Sequence, residues 1–117
     1  MSHPVRERLS AALPAAMKAR DRVAVAALRS ALAAVANAEA VPVDSVPRAG
    51  ALEEAASGTG AADAPRRDLT EHDVRVLVAG EVLDRDRAAA ELAALGRRED
   101  AARLTAEADV LRTVLAG

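Results

Sequence analysis

The sequence contains no phenylalanine, tyrosine, tryptophan or cysteine among its 117 residues. The absence of cysteine excludes disulfide bonds and cysteine-ligated zinc, and it is typical of proteins in a reducing compartment. The absence of aromatic side chains excludes an aromatic cage or a base-stacking platform as the basis of function. Alanine, leucine and valine dominate instead, and alanine has the highest helix propensity. The composition therefore predicts an all-α protein with many small side chains between closely packed helices.

An excess of charge of one sign and long apolar runs are also missing. The chain carries 16 basic and 18 acidic residues, and its net charge of −2 gives no signature of binding to duplex DNA or to an anionic membrane. No apolar run approaches the roughly 18 residues of a membrane span, and the first residues lack the apolar region of a signal peptide. These features predict a cytoplasmic protein without DNA or membrane partners, folded as one domain over residues 1–117.

Apolar residues at helical spacing predict two helices in the first 40 residues. Pro14 lies inside the first helix and predicts either a kink or a division into two short helices. Asp21 is the predicted N-cap of the second helix, which extends to about Ala38. The predicted apolar face of the first helix contains Val5, Leu9, Ala12, Leu13, Ala16 and Met17. The predicted seam of the second helix contains Val25, Leu28, Leu32 and Val35.

A long connection separates these helices from two more. Prolines and glycines interrupt residues 41–68, which we expect to be a partly ordered linker. Thr70 is the predicted N-cap of the third helix, with Asp73 in a capping-box position, and Gly96 is its predicted stop. The fourth helix begins at about Glu99. The predicted fold is a small open array or bundle of about four helices, the last two forming an antiparallel hairpin.

Two further apolar patterns define how the last two helices pack. The apolar face of the third helix contains Val74, Leu77 and Val78 at its start and Leu92 and Leu95 at its end. The seam of the fourth helix contains Ala101, Leu104, Ala108, Leu111 and Leu115. Glu81 and Arg85 are spaced to form an ion pair along the third helix.

Arginine accounts for 15 of the 16 basic residues. Because a guanidinium group pairs bidentately with phosphate, clusters of arginine are candidate phosphate contacts. Arg66 and Arg67 precede the third helix, where free backbone amides also favour an anion. Arg85, Arg87, Arg97 and Arg98 surround the end of that helix and the turn after it. The alternative interpretation of each cluster is a solvated charged surface.

No residue pattern predicts catalysis, a metal or a cofactor. The two histidines, His3 and His72, have no ligand partner at a recognised metal spacing. The glycines at 58 and 60 follow no predicted strand and lack the lysine of a phosphate-binding loop. We therefore expect no catalytic, metal-binding or cofactor-binding residues.

Several segments, in their order along the chain, resemble the GatB/YqeY family. Those in the first half are Ala15-Ala16-Met17-Lys18-Ala19-Arg20-Asp21, Leu28-Arg29 and Asn37-Ala38-Glu39. Those in the second half are Leu69-Thr70-Glu71-His72-Asp73-Val74, Arg85-Asp86-Arg87-Ala88-Ala89-Ala90-Glu91, Gly96-Arg97 and Glu107-Ala108-Asp109-Val110-Leu111. The resemblance covers about residues 5–115 apart from the linker.

The resemblance implies an all-helical protein related to the tail region of the B subunit of glutamine-dependent tRNA amidotransferases. That tail is thought to contact tRNA, while other domains perform glutamine hydrolysis and ATP-dependent activation. Free-standing members continue into a second small helical domain, so this chain is similar to a short form without it. The expected function is a non-catalytic binding module for tRNA or for a translation or amidotransferase protein. The candidate contacts are Arg20, Arg29, Arg66, Arg67, Arg85, Arg97 and Arg98.

Two other functions stay open at this point. The chain could be an accessory component of a glutamine-dependent carbon–nitrogen ligase, acting only together with partner subunits. It could also be a structural module that self-associates weakly through the seam of Leu104, Leu111 and Leu115.

Overall fold

The computed structural model describes residues 3–40 and 68–117 and shows four α-helices in those ranges, without any strand. The helices are α1 (Val5–Lys18), α2 (Arg22–Ala40), α3 (Glu71–Ala94) and α4 (Arg98–Ala116). The predicted all-α fold class is confirmed. The predictions for the linker, and those for Arg66 and Arg67, lie outside the described residues.

The four helices form two antiparallel pairs. Helices α3 and α4 pack on each other more extensively than any other pair, as predicted. Arg75, near the start of α3, donates a hydrogen bond of 3.2 Å to the carbonyl of Leu115, near the end of α4. Similarly, Arg6 at the start of α1 forms an ion pair of 2.9 Å with Glu39 at the end of α2. These contacts fix the opposite directions of the helices within each pair.

Side-chain caps begin α2 and α3 at the predicted residues. The Oδ1 atom of Asp21 accepts the backbone N–H of Ala24 at 3.0 Å. Thr70 Oγ1 accepts the N–H of Asp73, and Asp73 Oδ2 accepts the N–H of Thr70, both at 3.0 Å. The second arrangement is a complete capping box, which satisfies backbone donors that the helix leaves free.

Gly96 ends α3, also as predicted. Its φ angle of 79° lies in the left-handed region, which glycine adopts without steric cost. The N–H of Gly96 donates to the carbonyl of Ala93 at 3.0 Å, and the N–H of Arg97 donates to the carbonyl of Leu92 at 2.9 Å. These two bonds form a Schellman motif, which occupies carbonyls at the end of α3.

Helix α1 is continuous from Val5 to Lys18, so the alternative of two short helices is wrong. Pro14 lacks the N–H that would bind the carbonyl of Ser10. Both residues are exposed, so the carbonyl of Ser10 is accessible to solvent and the missing bond does not end the helix. Helix α2 also extends two residues beyond its predicted end at Ala38.

The core is built from leucine, valine and alanine. The largest side chains that are fully buried are Leu9, Leu28, Leu111, Val5 and Val78. Alanines with no exposed surface, at positions 27, 31 and 108, let the helix backbones approach closely. Two predicted core residues are exposed: Met17 by 49% and Leu95 by 74%. Leu95 has left α3 and no longer follows its periodicity, and Met17 lies in the last turn of α1.

Helix α2 alone, among the described residues, has the length and hydropathy of a helix that could cross a membrane, with a mean hydropathy of 1.3. It contacts α1, α3 and α4, and it buries Ala27, Leu28 and Ala31 between them. A central helix in a bundle is expected to have this hydropathy because most of its neighbours are apolar. The buried residues of α2, which also include Ala24 and Val35, account for part of this hydropathy.

Candidate anion-binding site

Three arginines line one groove where α1 turns into α2. Arg20 lies in the turn, Arg22 is the first residue of α2, and Arg29 is seven positions further along. Side chains at this spacing lie on the same face of a helix, and Val25 and Ala26 complete the lining between them. The groove has a volume of about 400 Å³, and no acidic side chain lines it. We call this site the arginine groove.

The guanidinium groups of the arginine groove have no partner among the described residues. Neither Arg20, Arg22 nor Arg29 forms a side-chain hydrogen bond or ion pair with any residue in the ranges 3–40 and 68–117. All three residues are exposed. Each guanidinium stays positively charged and offers five N–H donors, which a phosphate or carboxylate could accept. The groove is therefore a cationic surface whose donors are available to a ligand.

Charge is unevenly distributed along the chain, and the groove lies in its basic part. Residues 8–38 include five basic residues and a single acidic one, Asp21, although the whole chain has a net charge of −2. The carboxylate of Asp21 accepts the N–H of Ala24 as the cap of α2, and Asp21 does not line the groove. The net positive charge of residues 8–38 therefore favours anionic ligands, although the net charge of the whole chain is negative.

The structure brings together two of the predicted contact residues, Arg20 and Arg29. It adds Arg22, which the sequence analysis missed. The signal for Arg22 was its spacing of seven residues from Arg29 within a predicted helix, which places both side chains on one face.

Arg85 lies elsewhere and is occupied by internal contacts. Its Nε atom binds Glu107 at 3.0 Å, and its Nη1 atom binds Glu81 at 3.2 Å. Ser30 of α2 donates a hydrogen bond of 2.6 Å to the same Glu81 carboxylate. The side chain of Arg85 is only 12% exposed. The predicted ion pair of Glu81 and Arg85 is present, but it belongs to a network between helices rather than to a surface.

Arg97 and Arg98 lie at the start of α4 and do not line the arginine groove. Arg97 forms an exposed ion pair of 3.1 Å with Asp100. Arg98 is exposed and has no partner in the part of the chain that the structure describes. The two residues therefore form a separate charged surface.

The α4 seam considered for self-association packs at least partly inside the bundle. Leu111 is fully buried, while Leu104 and Leu115 are partly buried. A second groove, of about 350 Å³, is lined by four apolar and two polar residues: Ala38, Leu69, Val76 and Leu77, with His72 and Asp73. Within residues 3–40 and 68–117, no group of three or more His, Cys, Asp or Glu side chains is arranged to hold a metal ion.

The fold and the site define a class of protein: a small helical protein, with four helices in its described residues and an arginine-lined groove at one helix turn. Comparisons of the chain with protein-family models, curated proteins and solved structures find no match. The resemblance to the GatB/YqeY family thus stays a prediction that rests on the order of the sequence segments.

Proposed function

We propose that this chain is a cytoplasmic, non-catalytic helical binding module of the GatB/YqeY type, and that it binds tRNA through the arginine groove. The observation that carries the proposal is that three arginine side chains without a partner among the described residues, those of Arg20, Arg22 and Arg29, line one groove. RNA presents phosphate groups that accept bidentate hydrogen bonds from arginine.

The chemistry of the groove favours recognition of the RNA backbone. Its lining combines three arginine side chains with two small or medium apolar residues, Val25 and Ala26. The chain contains no aromatic side chain on which an unstacked base could lie. Contacts with phosphates fix the position of an RNA but do not read its bases. We therefore expect the module to bind different tRNAs with similar affinity.

The proposal is tested by titrating labelled, unmodified tRNA with the protein and following fluorescence anisotropy. If the three arginines neutralise three phosphates, log Kobs should fall with log[salt] with a slope of about −2 to −3. Between about 50 and 150 mM salt, binding should then weaken roughly 10- to 30-fold. A lack of saturable binding at the lower salt concentration would overturn the proposal.

Competition by a second polyanion distinguishes recognition of RNA from nonspecific electrostatic binding of any anion. Poly-glutamate carries carboxylates instead of phosphate diesters and resembles an acidic protein surface. We expect unlabelled tRNA, and not poly-glutamate at the same charge concentration, to displace the labelled tRNA. Equal displacement by both would favour an acidic protein partner and contradict the tRNA proposal.

A further inference from the structure

The two short turns of this protein have the same backbone hydrogen bonds but different residues at their central position. In the turn after α3, that position is Gly96, with φ of 79°. In the turn after α1 it is Arg20, with φ of 57°. The N–H of Arg20 donates to the carbonyl of Met17 at 3.1 Å, and the N–H of Asp21 donates to that of Ala16 at 3.0 Å. Both helices therefore end in a Schellman motif.

A side chain at the left-handed position has a conformational cost. In this conformation the Cβ atom of an L-residue lies too close to the following carbonyl oxygen, and glycine avoids the contact. Arg20 is the only residue other than glycine with positive φ in the ranges 3–40 and 68–117. The turn after α3 therefore has an unstrained glycine at its left-handed position, whereas the turn after α1 has a strained arginine.

No hydrogen bond or ion pair of the Arg20 side chain within residues 3–40 and 68–117 compensates for this strain. Its side chain is exposed and makes no hydrogen bond or ion pair with the described residues. The Arg20 side chain instead lines the arginine groove, together with Arg22 and Arg29. The two α2 arginines share a helix face, whereas Arg20 reaches the groove from the turn that precedes α2.

We infer that Arg20 is the anchoring residue of the arginine groove, and that its guanidinium binds a phosphate group of the ligand at the expense of fold stability. This inference rests on the proposed function, because it assigns a phosphate-binding role within the same groove. Strained backbone at a binding residue is a known trade between stability and function. The ligand chemistry is a phosphate, either a diester in RNA or a free phosphate group.

Three variants of the full chain separate the two roles of Arg20. Arg20→Gly removes both the strain and the guanidinium, so its Tm should rise by roughly 2–5 °C while its affinity for tRNA falls about 10-fold. Arg20→Lys keeps the strain and the charge without the planar fork, so its Tm should stay unchanged and its affinity should be intermediate. Gly96→Ala introduces backbone strain at the other turn without adding a charge, so it should lower Tm without changing the affinity. A rise in Tm of Arg20→Gly with unchanged tRNA affinity would overturn the inference.

Inorganic pyrophosphate provides a probe that does not depend on tRNA. In NMR spectra of the ¹⁵N-labelled protein, the Nε–H signal of Arg20, identified by its loss in Arg20→Gly, should shift saturably with pyrophosphate. Signals of Arg22 and Arg29 should shift with it, while that of Arg87, which is exposed and outside the groove, should not. An Arg20 signal that stays fixed while the other two shift would overturn the inference. A saturable shift of Arg20 in a protein that does not bind tRNA would support the inference and overturn the proposed function.

Discussion

Glu71, the first residue of α3, caps the first helix of the protein: both of its carboxylate oxygens accept the backbone N–H of Val5, each at 3.2 Å. The residue before α1, Pro4, makes no side-chain cap of its own. Arg75, one turn further along α3, lies 3.7 Å from the same carboxylate. A carboxylate at a helix N-terminus satisfies a free donor and interacts favourably with the helix dipole. Glu71 thus fastens α1 to α3.

The substitution Glu71→Ala should lower the free energy of unfolding by about 1 kcal/mol, the typical cost of a lost N-terminal cap. Urea denaturation followed by circular dichroism measures the change. Glu91→Ala is the matched control, because Glu91 is an exposed glutamate of the same helix without a partner among the described residues. Equal stabilities of the two variants would show that the contact with Val5 contributes nothing.

Two glycines should respond in opposite directions to the same substitution. A Cβ atom added at Gly96 or at Gly80 would meet no atom within 4 Å, so steric clashes do not distinguish them. Gly96 has φ of 79°, and Gly96→Ala should cost about 1 kcal/mol of stability through backbone strain. Gly80 lies inside α3, and Gly80→Ala should gain up to about 1 kcal/mol through helix propensity.

Thermal and urea denaturation of these two variants measure the difference directly. A gain in stability for Gly96→Ala would contradict the left-handed conformation at this turn. A loss for Gly80→Ala would contradict the open space that the structure shows beside it.

The network around Arg85 should be sensitive to the loss of its only cation. Glu107 is 9% exposed, and Arg85→Met would leave it and Glu81 without a positive partner. Leaving a part-buried charged group without its hydrogen-bond partner costs about 1–3 kcal/mol, because the remaining charge is poorly solvated. Arg87→Met, at an exposed arginine without a described partner, should change stability by less than about 0.5 kcal/mol.

A further variant tests the physical reason for that loss. Replacing Glu81, Arg85 and Glu107 together by apolar residues should recover most of the stability, because no charge remains buried. Denaturation of this variant at neutral pH provides the measurement. If it were as unstable as Arg85→Met, lost packing rather than unpaired charge would be the cause.

Local sequence patterns were sufficient to predict the fold. The caps at Asp21 and Thr70 and the stop at Gly96 depend on residues at most three positions away, so their signals are visible without a structure. Helical spacing likewise predicted the buried residues Leu28, Val35 and Leu111. It missed Val114 of α4 and the buried alanines at positions 24, 27 and 31 of α2. The pairing of α3 with α4 followed from the short turn between them.

Contacts between distant residues could not be predicted in this way. The bond of Glu71 to Val5 joins residues 66 positions apart, and Arg8 Nε donates to the carbonyl of Val114 across 106 positions. Both depend on how the helix pairs pack together. No local pattern distinguishes these side chains from other charged residues at helix ends.

The arginine groove was predictable in part. Arg22 and Arg29 share a helix face by their spacing alone, whereas the contribution of Arg20 depends on the left-handed turn that places it beside α2. Arg85 had a signal for burial that the sequence analysis did not use. It lies seven positions after Val78 and four before Ala89, on the buried face of α3.

The most direct test of the central claim compares two double variants in the tRNA titration. Arg22→Gln with Arg29→Gln removes two charges from the groove, and Arg87→Gln with Arg98→Gln removes two exposed, unpaired charges from α3 and α4. We predict that the groove variant loses about 10-fold or more in affinity and that its salt slope becomes shallower by about 1.5 to 2. The control should lose less than about 2-fold. Equal losses in both variants would show that tRNA responds to overall charge and would contradict a binding site in the arginine groove.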